Sequence, residues 1–137
     1  VTPTRTTNST LEGGIALLGY DLPPILNAGE PATLALHWQP SEPIPTDYTV
    51  FIHIVDSSGQ AVAQADGPPL NGDWPTSAWQ VNRAVIDPHS ITIPASGDYK
   101  ISVGLYDPAT VIPLIAYRAD GSEWPDRAIE LTTVSVK

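Results

Sequence analysis

The chain has 137 residues, a formal net charge of −9, and neither cysteine nor methionine. The missing thiols exclude disulfides, thiolate catalysis and cysteine zinc sites. With only six lysines and arginines, no basic patch can neutralise phosphates, which excludes nucleic-acid binding and disfavours anionic membrane surfaces.

A hydrophobic content of 42% supports one core, and a chain of this length buries roughly 65–70% of its unfolded surface. The 15 prolines are about twice the usual ~5% and belong in loops, turns and edges. No apolar run approaches the roughly 18 residues of a membrane span, so the chain itself is not expected to insert in a membrane. It starts at Val1 without Met, and is expected to be a piece of a longer protein.

Residues 1–12 open with VTPTRTTNST. This Thr-rich, aperiodic run reads as a linker, and 13–137 as a single domain. Asn8-Ser9-Thr10 matches the N-glycosylation sequon, a pattern short enough to arise by chance.

Gly13 to Leu22 is the first expected strand, with Ala16, Leu18, Tyr20 and Leu22 on one face and Pro23-Pro24 ending it. Thr33 to Trp38 follows, with Leu34, Leu36 and Trp38 alternating against Thr33, Ala35 and His37. Asp47 to Asp56 is the strongest strand signal. Tyr48, Val50, Ile52 and Ile54 share one face; Phe51 and Val55 lie on the other with Thr49 and His53. A strand apolar on both faces is covered on both, so this one is expected to run mid-sheet.

A turn at Ser57-Ser58-Gly59-Gln60 predicts a return along Ala61 to Asp66. Gly67 to Asn82 is long for an irregular connection. It carries Trp74 and Trp79, rings too large to be left unpacked. Arg83 to Ile93 reads as a strand broken at Asp87-Pro88. Tyr99 to Tyr106 is another strong strand, with Gly104 on its outer face where something approaches closely. Asp107-Pro108-Ala109-Thr110 is a type I turn sequence, and Ile112 to Arg118 its hairpin partner. In Ala128 to Val136 the apolar phase slips, which predicts a bulge near Thr132-Thr133. No helix is expected. The fold class is all-β: an antiparallel β-sandwich of immunoglobulin-like architecture with seven to nine strands.

Several motifs in this order resemble one family: Gly14-Ile15-Ala16-Leu17-Leu18-Gly19-Tyr20, Leu34-Ala35-Leu36-His37-Trp38, Asp47 to His53, Pro75 to Trp79, Gly97-Asp98-Tyr99 and Val103 to Pro108. It is the extracytoplasmic β-sandwich domain at the C-terminal end of predicted bacterial multi-pass membrane glycosyltransferases of the protein-mannosyltransferase-like kind. The resemblance covers about residues 13–136. It implies an extracytoplasmic location and, as partner, the membrane portion of the parent chain. It implies no site. One departure is Val111, which stands where such a hairpin is expected to carry Gly; a β-branched residue is poor at positive φ.

The chemistry-bearing residues offer no nucleophile elbow and no carboxylate pair spaced for glycoside hydrolysis, so the chain is not expected to be an enzyme. His37 and His53 could share a face if their strands pair. Asp56, Asp66, Asp73 and Asp87 lack a calcium-loop spacing. Neither a metal site nor a cofactor is therefore expected. Trp38 alternates with Leu34 and Leu36 and belongs to the core. Trp74, Trp79 and Trp124, with Asp73, lie in loops as candidate stacking platforms for a sugar ring. The expected role is a non-catalytic accessory domain that binds carbohydrate. The competing expectation is a structural or protein-interaction domain whose rings plug the ends of the sandwich.

Overall fold

The structure, a computed structural model, describes residues 2–137. Two antiparallel sheets face each other. The first is ordered β6-β3-β2-β1-β9, built from β1 (Arg5–Leu11), β2 (Ile15–Asp21), β3 (Ala32–Pro40), β6 (Val85–Ile91) and β9 (Ala116–Tyr117). The second is ordered β10-β7-β4-β5, with β8 on β7. Its strands are β4 (Thr49–Asp56), β5 (Ala61–Gln64), β7 (Gly97–Asp107), β8 (Ile112–Pro113) and β10 (Ile129–Val136). β8 and β9 are two residues each, and the helical content is three short 3-10 turns. The expected all-β sandwich is observed.

Alternation builds the core. Leu34, Leu36 and Trp38 on β3 are fully buried against Val50, Ile52 and Ile54 on β4 and Ile101, Val103 and Leu105 on β7. Each such side chain contributes about 1.5–3 kcal/mol by leaving water. β4 lies between β7 and β5, as a strand apolar on both faces should. Its outer-face Phe51 is also buried.

Four expectations are corrected. Residues 5–11, read as linker, form β1, paired with β2 and β9. Its hydroxyl-rich sequence hid it, because only Ser9 and Leu11 are buried. β6 runs unbroken through Asp87-Pro88. It is an edge strand, so Pro88 costs no ladder bond on the free side. Residues 112–118 do not make one hairpin partner: β8 stays on β7, whereas β9 crosses to β1. Finally, Ala16 and Leu18 do not share a face with Tyr20: Ile15 and Leu17 are buried instead, and a register shift between Leu17 and Gly19 brings Tyr20 to their side. His37 and His53 lie in different sheets, so the strand pairing on which a shared face depended is not made. The bulge falls at Leu131, between Glu130 and Thr132, one residue from its expected place.

The 67–82 connection is held at several points. Gly67 and Ala65 extend the β4 pairing through bonds with Val50 and Ile52. The Thr76 hydroxyl donates to the Thr46 carbonyl and accepts the Tyr48 N–H at 3.0 Å. Asp87, fully buried on β6, accepts the Leu70 N–H at 2.9 Å and the Trp38 indole N–H at 3.3 Å, and His89 Nε2 lies 2.6 Å from it.

Candidate functional site

The outer face of the second sheet is where the chain gathers its polar chemistry. His53 on β4 pairs across with Gln64 on β5 and Ser102 on β7, and Ser102 with Glu130 on β10. Period-two alternation turns all four side chains to that face. The neighbouring row is aromatic. Phe51 lies 4.8 Å from His53 and 6.4 Å from Tyr106, centroid to centroid. Phe51 can lie flat because the residue opposite it is Gly104. A Cβ there would run into the Phe51 ring and come within 3.2 Å of the Arg127 carbonyl. Gly104 is thus the close-approach position its sequence context implied.

The β7–β8 turn and the 125–128 segment rise beside these rows. Together with β5 they enclose a groove of about 540 Å3, within the size range of small-molecule sites. Phe51 and Ser102 form its buried floor, and His53 and Tyr106 are half-buried. Asp66 stands at the rim. Its Oδ2 accepts the Tyr106 hydroxyl at 3.2 Å and the Gln64 amide at 3.1 Å. Among the described residues its Oδ1 accepts no bond. Burial first, then the charge and hydrogen bond of Asp66, raise the Tyr106 phenol above its ordinary 10.0. Tyr106 therefore stays a neutral donor. Lys100 lines the groove too, but its ammonium is engaged by Glu130 at 2.8 Å.

Val111 and Pro113 overhang the groove. Val111 has φ 60°, so the hairpin keeps the left-handed geometry that a Gly would favour and places a strained valine there. With Ile112 it forms an exposed apolar tip, 67% and 58% accessible.

The residues singled out as sugar platforms are dispersed. Trp79 is buried, 6.3 Å from Trp38, and donates its indole N–H to the Trp74 carbonyl at 3.0 Å. Trp124 is half-buried beneath the Arg118 guanidinium, 4.4 Å from the ring centroid, and donates to Ser9 Oγ at 3.1 Å. Trp74 and Asp73 are exposed on the 67–82 connection. No two of these rings form a common platform. The groove aromatics were read in the sequence as strand residues, and nothing marked Phe51, His53, Tyr106 and Asp66 as neighbours.

The other histidines are structural in setting. His37, on β3, is buried with Nε2 2.7 Å from Asp21; its Nδ1 has no partner. Asp21 also accepts the Thr4 N–H, and that bond, followed by the His37 bond, lowers its pKa. Among the described residues no three of His, Asp and Glu converge as a metal-binding group.

The chain is similar in structure to the CARDB domain of a Pyrococcus furiosus protein, solved in complex with di-metal ions. The TM-score is 0.48 at 14% sequence identity, covering 100% of this chain and 93% of that one. No family model matches the sequence, and no curated protein matches it.

Proposed function

We propose that this domain is a non-catalytic carbohydrate-binding module, and that its sugar site is the groove on the outer face of the second sheet. One observation carries the reading. The aromatic row Tyr106–Phe51–His53 lies beside a carboxylate, Asp66, held in place by two donors and with one oxygen unused. A pyranose offers an apolar C–H face and a rim of hydroxyls, which match the half-buried Tyr106 and His53 rings and a fixed acceptor respectively. The role moves from the tryptophans to the groove because Trp79 is buried and Trp124 is covered by Arg118. Ser102 and His53 are cross-strand neighbours, but no hydrogen bond joins them, so the serine lacks an activating base. This supports binding rather than catalysis.

The resemblance supports the wider setting. The module sits outside the cytoplasm on a membrane-bound, glycosyltransferase-like parent, where it would hold acceptor glycan near the membrane portion. Protease accessibility of the domain in intact cells, against permeabilised ones, tests that side of the membrane.

A glycan array followed by titration calorimetry tests the site. Binding is expected to fall at least about tenfold in Tyr106→Ala and Asp66→Asn, roughly 1.4 kcal/mol or more, and to be unchanged in Trp74→Ala. Loss of binding in the Trp74 variant alone would move the site back to the loop. A domain that binds no sugar would favour the structural or protein-interaction role.

A further inference from the structure

The groove on the outer face of the second sheet has acceptors to spare and few free donors. The Tyr106 hydroxyl and the Gln64 amide both donate to Asp66 Oδ2, at 3.2 and 3.1 Å. The Lys100 ammonium lies 2.8 Å from Glu130. Three lining residues that carry donors thus already face an acceptor of the protein.

The carboxylates are less engaged, and they flank the aromatic row. Gly67 bridges Val50, and Ala65 exchanges hydrogen bonds with Ile52. Asp66 therefore stands across from Phe51, on the same face. Beyond the Phe51 ring and Gly104, β10 begins with Ile129 paired to Val103. The 125–127 turn before it brings Asp126 to that wall of the groove. Among the described residues Asp66 keeps Oδ1 without a donor, and Asp126 pairs with no cation. Arg127, next in the chain, donates to the Pro113 carbonyl at 2.9 Å and does not line the groove. With Lys100 matched by Glu130, the lining has two carboxylates in excess. A ligand that fits it brings donors and positive charge. A hydroxyl supplies one donor. A primary ammonium supplies three and a full charge, and both carboxylates and aromatic faces attract it.

We propose that the ligand class of this groove is the amino sugars, hexosamines with a free, protonated amine; this rests on the groove being a carbohydrate site. The ammonium bonds Asp66 Oδ1 within reach of the Phe51 and Tyr106 rings, and Asp126 adds attraction from the opposite wall. The sugar's C–H face lies along Tyr106 and His53. N-acetylation removes the charge and two of the donors, and a uronic acid is repelled by the same carboxylates.

Titration calorimetry tests this with glucosamine, galactosamine and mannosamine, each beside its parent hexose and its N-acetyl form. At least one hexosamine should bind about tenfold or more tighter than both of its counterparts. That margin should shrink as salt rises and fall towards one in Asp126→Asn. Asp126 is exposed with φ 58°, a conformation Asn accepts readily, so the variant should fold, which circular dichroism checks. A hexose or N-acetyl form that binds as tightly as its hexosamine would overturn the inference and leave the carbohydrate site standing. So would a margin that survives in both Asp66→Asn and Asp126→Asn. Silence of all these sugars would also overturn the inference, and a silent glycan array beside it would remove the carbohydrate site as well.

Discussion

Replacing Asp87 with Ala asks whether a buried carboxylate fastens the tryptophan-bearing connection to the sandwich. Asp87 is 0% exposed and accepts from Trp38 and Leu70, with His89 against Oδ2. Truncation leaves two donors without their acceptor, the buried Trp38 indole N–H and the N–H of half-buried Leu70; an unmet buried donor costs about 1–3 kcal/mol, and a half-buried one less. His89 retains some access to water, 10% for its side chain, so its loss adds little. Removing the buried charge returns part of its desolvation cost. The net expectation is a loss of about 3 kcal/mol, a large share of the 5–15 kcal/mol typical of a domain, and a melting point lower by roughly 10 °C. Asp87→Asn keeps one oxygen, enough for Leu70 but not for Trp38 as well, and should cost about half as much. Urea unfolding followed by tryptophan fluorescence measures both. Near-ultraviolet circular dichroism should report loosening of the Trp38–Trp79 pair. A cost below about 1 kcal/mol for the Ala variant, or equal costs for the two, would refute this account. If the Ala variant does not fold, the Asn variant still supplies the measurement.

Other changes follow the same logic. Val111→Gly should stabilise the domain by about 0.5–1 kcal/mol in thermal melts, because relief of a β-branched residue at positive φ exceeds the entropy that Gly adds to the unfolded chain. Gly104→Val should be destabilising by about 2–3 kcal/mol in urea, since Phe51 and the Arg127 carbonyl leave no room for a side chain and overpacking shifts the backbone. The raised Tyr106 pKa gives a sign for alkaline behaviour. Its stabilising contribution is fully present below the unfolded value near 10.0 and is lost as pH rises through the higher folded value. Ultraviolet titration, read against a Tyr106→Phe control, should show Tyr106 ionising late, and Asp66→Asn should move it down yet leave it above 10.0, since burial is the larger cause. An unmoved titration would mean that Asp66 does not act on that phenol.

Legibility differed between the elements. β4 and β7 could be read directly because alternation and burial coincide: Val50, Ile52 and Ile54 face Ile101, Val103 and Leu105. Gly104 was read as a contact point, and Phe51 over it is the contact. β1 was missed because hydrogen bonding, not apolar area, ties Thr and Ser residues between β2 and β9. The break expected at Asp87-Pro88 failed because Asp87 is a buried acceptor and its strand lies at an edge. The tryptophans, grouped in the sequence reading, are dispersed in the fold. Trp79 and Trp124 spend their rings and N–H groups on packing and on the protein's own acceptors.

By itself the sequence determined the class of the fold, the inner faces of β3, β4 and β7 and the absence of thiols, because those depend on local periodicity and composition. Only the tertiary structure decided which polar residues meet on an outer face. Strand pairing places His53 beside Gln64 and Ser102, and the chain beyond β5 brings Asp66 to the Tyr106 hydroxyl. Tyr106 and Asp66 are 40 residues apart in the chain. Hydrogen bonding across the sheets sets such distances, and no local pattern encodes them.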